Sequence, residues 1–279
     1  LLNLSRICAS GQRNKDNWDY IKENWDDMAG PAKDTAELIV ALDVDTLSEV
    51  RALVEKLSPA VDIFKIGSRL FTACGPAAVR FVQAKGKRVF LDLKYHDIPN
   101  TVAGAVRTAV ELIKAVERSS ALLKNSKLKP TSLFMLTVHT LGGVEMMKAA
   151  AQAGAKAAQE FKVTKPLVVG VTVLTSEAKR DNIHTLVLER ARMAQEAGLD
   201  GVVASVQEAQ LIREEFGPDF VIVTPGIRPA GADAGDQKRI ATPAEAIKNG
   251  SNYLVVGRPI REAQDPLKAA KEILKEMKI

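Results

Sequence analysis

The segment Asp92-Leu93-Lys94-Tyr95-His96-Asp97 puts two carboxylates and an ammonium into one short stretch. It continues the apolar run Arg88–Leu93, which reads as a strand buried on both faces. Residues two apart on a strand share a face, so Asp92 and Lys94 are expected to project together. Asp97 is expected on the loop that follows, just before Ile98-Pro99. Charges buried this close together are costly unless they pair. An ammonium held among carboxylates can steady negative charge as it develops and can deliver a proton. Spacing alone equally allows a surface ion pair at a strand end.

Other reactive residues fall at the ends of apolar runs. Asp43 closes the first, Lys65 lies in the second ahead of Gly67, and His139 closes the fourth. Thr175-Ser176 follows the fifth, Pro225-Gly226-Ile227-Arg228 the seventh and Gly257-Arg258 the eighth. The sixth offers no obvious chemical group. Gly226 and Gly257 permit close backbone approach, and Arg228 and Arg258 can grip phosphate oxygens with a planar fork. The same arginines would also serve as helix caps. Ala230–Asp236, followed by Gln237, has the small-residue composition of a mobile lid or of a plain surface turn. His139 stands alone, and no His/Cys/Asp set has metal-ligand spacing, which disfavours a metal hydrolase. Ser176 lacks the glycines of a nucleophile elbow, which disfavours a serine hydrolase. His184 and Cys74 are expected to have no catalytic role.

The elements that must position these residues are eight candidate strands: Leu38–Val44, Asp62–Ile66, Arg88–Leu93, Ser132–His139, Leu167–Leu174, Gly201–Ser205, Phe220–Thr224 and Tyr253–Gly257. Helical patterns lie between them at Leu47–Leu57, Val102–Ala115, Val144–Gln159 and Ser205–Glu215. Thr242 is placed to cap a further helix with Pro243 in its first turn, and Pro266–Met277 closes the chain. Strands alternating with helices predict a TIM (β/α)8 barrel, in which strand ends converge on one mouth. A doubly wound sheet is the alternative, but no Gly-rich turn follows the first strand.

The expected division is an N-terminal extension over residues 1–35 and a barrel over residues 36–279. In the extension Trp18, Ile21, Trp25 and Met28 share one helical face. The Ser/Lys-rich stretch Glu117–Lys129 reads as a surface insertion.

Composition narrows the function classes. The chain has 279 residues and a formal net charge of +5. Aromatics are only 5%, and basic residues alternate with acidic ones, which argues against a nucleic-acid reader. The two cysteines, Cys8 and Cys74, are too few for a disulfide scaffold and fit a reducing, cytoplasmic setting. No apolar stretch is long enough for a membrane helix, and the N-terminus lacks a signal-like apolar region.

Taken together, Leu42-Asp43, Phe64-Lys65-Ile66-Gly67, Asp92 to Thr101, Val138-His139, Val173 to Ser176, Val223 to Pro229 and Val256 to Ile260 resemble the orotidine 5′-phosphate decarboxylase family of the bacterial type. The resemblance runs from about Glu37 to the C-terminus. The Asp-x-Lys-x-x-Asp-Ile-Pro-x-Thr block with Thr-Pro-Gly-Ile-Arg is a specific pair. It implies a homodimer with shared active sites acting on orotidine 5′-monophosphate without metal or organic cofactor. Lys65, Asp92, Lys94 and Asp97 would form an alternating charged array. Asp97, Ile98 and Thr101 would reach into the partner's site. Asp43 and Lys65 would contact the ribose, and Thr175 the pyrimidine. Arg228, Gln237, Gly257 and Arg258 would hold the phosphate, Pro225 would also meet the substrate, and His139 would have a supporting place.

Loss of CO₂ from C6 of orotate leaves a carbanion without a good electron sink. Lys94 would stabilise that charge and then protonate C6, while Asp92 would hold Lys94 and repel the departing carboxylate. Three alternatives are weaker. Magnesium-dependent 3-keto-L-gulonate 6-phosphate decarboxylases and hexulose-phosphate synthases share the central block but typically carry Glu where Lys65 stands. A non-catalytic nucleotide-binding barrel has no use for an intact Lys94 with both aspartates. A Schiff-base aldolase needs a neutral lysine, which flanking carboxylates disfavour.

Overall fold

The computed structural model describes residues 36–118, 133–174, 182–229 and 240–278. Within them β1 (Glu37–Ala41), β2 (Ile63–Gly67), β3 (Arg88–Tyr95), β4 (Leu133–His139), β5 (Leu167–Val171), β6 (Gly201–Val203), β7 (Val221–Thr224) and β8 (Tyr253–Val256) form a closed parallel barrel in chain order. The barrel closes where Glu37 to Val40 pair with Tyr253 to Val256. The expected (β/α)8 architecture is therefore present.

Side-chain caps start three of the α-helices, at Thr46, Thr242 and Asp265. In α1 (Leu47–Leu57) Thr46 Oγ1 accepts from the Glu49 N–H at 3.2 Å, and Glu49 accepts from the Thr46 N–H at 3.0 Å. Its stripe Val50, Val54 and Leu57 is fully buried. Next come α2 (Ser68–Cys74) and α3 (Pro76–Ala84), divided by Gly75 at φ 55°. Then follow α4 (Pro99–Arg118), α5 (Gly143–Phe161), α6 (Ile183–Glu196) and α7 (Val206–Phe216). Thr242 caps α8 (Pro243–Lys248) and Pro243 sits in its first turn, both as expected, and Glu245 completes a reciprocal box like that of α1. The short α9 (Arg258–Arg261) and α10 (Pro266–Glu276) complete the series.

The core has two shells. Between strands and helices lie residues such as Leu38, Val40, Phe64, Leu91, Leu136 and Val168. Inside the barrel lie Ile39, Ile63, Phe90, Met135, Val169 and Val223. Strand alternation carries the inward face from Ile39 to Ala41 and Asp43, from Ile63 to Lys65, from Phe90 to Asp92 and from Met135 to Thr137. Apolar layers thus fill the lower barrel and polar residues begin above them. The floor is closed by Tyr253, whose ring meets Phe134 edge-on at 5.5 Å. Arg88 lies over Phe134 at 4.7 Å, bonds Asp62 at 2.6 Å and also pairs with Glu37.

The third strand departs from the sequence expectation. It continues to Tyr95 rather than stopping at Leu93, and it is not regular. Leu91 pairs with Leu136 and Tyr95 with Val138, so Asp92, Leu93 and Lys94 together face the single residue Thr137. Lys94 adopts φ +51°. Simple alternation therefore does not bring Lys94 beside Asp92; a bulge does, because extra residues on one strand bend it and re-aim a side chain. β1 and β5 end earlier than expected, at Ala41 and Val171, although Leu42 N–H still bonds Lys65 O at 2.9 Å.

The aromatic stripe of residues 1–35, the lid segment Ala230–Asp236 and residues 119–129 of the expected insertion lie outside the described residues. Among the described residues, no helix is long and apolar enough to cross a membrane.

Candidate active site

The mouth of the barrel holds a cavity of about 240 Å³. Its wall includes Asp43, Lys65, Asp92 and Lys94 on one side and Pro225, Arg228, Gly257 and Arg258 on another. The remaining lining is apolar, with Phe90, Val171, Val203, Val223 and Val255 as inward residues of five strands. One compartment thus offers a charged face, an apolar floor and two guanidinium groups.

The charged face is a ladder. Lys94 Nζ donates to Asp92 Oδ1 at 2.8 Å. The other Asp92 oxygen, Oδ2, lies 3.4 Å from Lys65 Nζ, which lies 3.3 Å from Asp43 Oδ1. Cations and anions alternate, so each like-charged pair is separated by an opposite charge. The side chains of Lys65 and Asp92 are each only 12% exposed. Removing such groups from water is tolerable because each ion is paired more than once. Burial pushes the Asp92 carboxyl up, but Lys65, Lys94 and the Thr137 hydroxyl outweigh it and hold it below the usual 3.8.

Local sequence explains how the ladder fits. Gly67 leaves room for the lysine: a Cβ there would stand 3.0 Å from Lys65 Nζ and 3.4 Å from Asp43 Oδ1. Arg261 of α9 donates to the backbone carbonyl of Asp43, tying the end of β1 to the segment after β8. Thr137 donates to Asp92 Oδ1 at 3.1 Å and accepts from the Lys94 backbone N–H at 2.8 Å. Neither Arg261 nor Thr137 stands out in the sequence, because a threonine inside an apolar strand reads as ordinary β-strand composition.

Arg228 is buried, and its main chain is held by a bridge between Ile227 and Ala241. Its N–H bonds Ala241 O at 2.9 Å, while its own guanidinium donates to Ile227 O at 2.9 Å. This draws together the two ends of the connection between β7 and α8.

Eight of the expected site residues share the cavity wall: Asp43, Lys65, Asp92, Lys94, Pro225, Arg228, Gly257 and Arg258. Four others lie elsewhere on the chain. Asp97 is exposed, and its Oδ1 accepts from the Ile98 N–H at 2.6 Å. Ile98 and Thr101 are also exposed, and Ile98 is 66% so. His139 is buried, accepts from the Leu141 N–H at 3.2 Å through Nδ1, and stacks on His96 with centroids 5.7 Å apart. Thr175 and Gln237 lie outside the described residues. Among the described residues, no three His, Cys, Asp or Glu side chains gather as metal ligands would. The site carboxylates Asp43 and Asp92 are instead spaced by Lys65.

Comparison with known proteins gives one consistent picture. A family model described as Orotidine 5′-phosphate decarboxylase / HUMPS family matches residues 36–273. A Moorella thermoacetica protein named orotidine 5′-phosphate decarboxylase is 49% identical over 257 residues, covering 89% of this chain and 94% of that protein. A protein of the same name from Geobacter sp. strain M21 is 45% identical over 251 residues, covering 86% and 95%. Among solved structures, orotidine 5′-phosphate decarboxylase from Lactobacillus acidophilus superposes with a TM-score of 0.71 at 34% identity, covering 88% of this chain and all of that one. With the barrel, the charged ladder and these matches in agreement, the chain belongs to the orotidine 5′-phosphate decarboxylase family.

Proposed function

We propose that this protein decarboxylates orotidine 5′-monophosphate to uridine 5′-monophosphate, the last step of de novo pyrimidine nucleotide synthesis, without metal or organic cofactor. The observation that carries the reading is the Asp43–Lys65–Asp92–Lys94 ladder on the wall of a cavity that Arg228 and Arg258 also line. A small anionic nucleotide suits that compartment. The arginines take the phosphate, Asp43 and Lys65 the ribose hydroxyls, and the apolar floor the pyrimidine.

In this reading the C6–carboxylate bond breaks and its electron pair stays on C6. Lys94 faces that carbon as an ammonium, stabilises the growing negative charge and then transfers a proton to C6. Asp92 fixes Lys94 and sets a negative charge against the departing carboxylate. Barriers of this kind call for on the order of 20 kcal/mol of transition-state stabilisation. Binding energy at the remote phosphate supplies part of it. Thr175 would meet the pyrimidine, and Gln237 would join the arginines at the phosphate.

The working unit is proposed to be a homodimer in which Asp97, Ile98 and Thr101 complete the partner's site. Asp97 is exposed, bonds only the neighbouring Ile98 N–H among the described residues, and adjoins the exposed apolar Ile98. The decarboxylase domain would span residues 36–279, preceded by an extension over residues 1–35. The low cysteine content suits the cytoplasm.

The test is ultraviolet absorbance of orotidine 5′-monophosphate after chelator treatment, with Lys94→Ala alongside. The expected result is turnover unchanged by EDTA, and for Lys94→Ala turnover lost while nucleotide binding persists. Absence of turnover with and without chelator would sink the assignment. Loss only with EDTA would favour the magnesium-dependent relatives.

A further inference from the structure

We infer that Thr137 is a positioning residue that shapes the catalytic ladder through the β3 bulge. The inference rests on the proposed role of Asp92 and Lys94 but concerns a residue outside their array.

Three residues of β3, Asp92 to Lys94, are accommodated opposite one residue of β4. A bulge of this kind removes backbone groups from the regular ladder, and buried backbone groups must find partners elsewhere. Here the Lys94 N–H finds the Thr137 hydroxyl at 2.8 Å. The same oxygen carries one proton, which it gives to Asp92 Oδ1 at 3.1 Å. One hydroxyl thus accepts from the main chain of the lysine and donates to the side chain of the aspartate. The two roles are coupled, since a hydroxyl that accepts from Lys94 is left with its own proton for Asp92.

The coupling matters because Lys94 is in an unfavourable conformation. At φ +51° a residue with a Cβ is strained, and such strain persists only where surrounding contacts over-determine it. No glycine or asparagine at position 94 favours this geometry. The bond from Thr137 is a contact that rewards it. Without that bond the Lys94 backbone would relax, and its ammonium would no longer be set by the 2.8 Å contact to Asp92. Thr137 is itself fully buried and does not line the cavity, so it acts on substrate only through its neighbours. Lys65 and Lys94 face Asp92 from their own strands, and Thr137 supplies the neutral third contact from β4.

The test compares Thr137→Val, which keeps the shape and removes the hydroxyl, with Thr137→Ser, which keeps the hydroxyl. Two readouts are taken on the full chain: steady-state kinetics on orotidine 5′-monophosphate, and hydrogen exchange of the Lys94 amide. Expected for Thr137→Val is a kcat lower by about ten- to a hundredfold with KM within about threefold, together with faster exchange at Lys94. Thr137→Ser should restore both. Thr137 is overturned if the valine variant keeps Lys94 exchange and kcat at wild-type values, or if serine is as damaging as valine. Should Thr137→Val fail to fold, serine with native exchange and native kcat supports the role, and serine with impaired values overturns it. Should the wild type not decarboxylate this nucleotide, the proposed function falls, while Lys94 exchange still decides whether Thr137 holds the bulge.

Discussion

At the scale of single residues, the site depends on which charge is flanked by which. Asp92 stays ionised because two ammonium groups and a hydroxyl outweigh its burial. The sign of the consequence follows. A carboxyl whose folded value lies below its unfolded one adds stability in full above the unfolded value, and that stability is lost as pH falls through the folded one. The contribution of Asp92 should therefore be complete at neutral pH and shrink as pH drops below 3.8. Urea denaturation of wild type and Asp92→Asn at a series of pH values checks this: the stability gap should be largest near pH 7 and narrow in acid. A gap independent of pH would contradict the ladder. The charged types Asp43, Lys65, Asp92 and Lys94 were legible in the sequence because their placement at the ends of apolar runs is itself abnormal. Thr137 was not, since its hydroxyl has meaning only once Asp92 and Lys94 are folded across from it. The left-handed φ of Lys94 was equally hidden, since nothing about a lysine advertises it.

At the scale of elements, strand pairing is limited by backbone approach. β6 has three residues and opens on Gly201, which pairs with Val221 of β7. A Cβ at Gly201 would meet the Val221 carbonyl oxygen at 2.0 Å, a clash that only strand movement relieves. Gly201→Ala should cost roughly 3 kcal/mol and lower the melting temperature by several degrees, measurable by calorimetry. Unchanged melting would mean that β6 and β7 are less closely held than they stand. The strands could be read from the sequence because parallel strands buried on both faces form unbroken apolar runs, such as Leu38 to Leu42. The start of α8 was legible for a separate reason, the Thr242 cap followed by Pro243. α2 and α3 were harder, because Gly75 divides one connection into two short helices whose stripes are brief. The β3 bulge could not be read at all, since register is a property of two strands and not of one.

At the scale of the whole molecule, the two ends of the barrel have different tasks. The floor is sealed by Tyr253, Phe134 and the Arg88 pairs, and the mouth carries the charged cavity. The proposed dimer adds a further level, and mixing tests it. Lys94→Ala and Asp97→Asn protomers, each inactive or crippled alone, should regain turnover when refolded together. In a heterodimer one site receives both native residues and the other receives neither. No gain over the separate variants would place Asp97 outside the partner's site. Barrel closure has a temporal consequence as well. The cavity draws on residues from Ala41 to Arg258, and Arg261 reaches back across 218 positions to the carbonyl of Asp43. β1 gains its second neighbour only when β8 arrives. A nascent chain on the ribosome can therefore assemble most of its strands and still lack the arginine pair and the tie at Asp43. The pocket is completed by almost the last part of the barrel to be synthesised, so its wall is whole only once that part has been made.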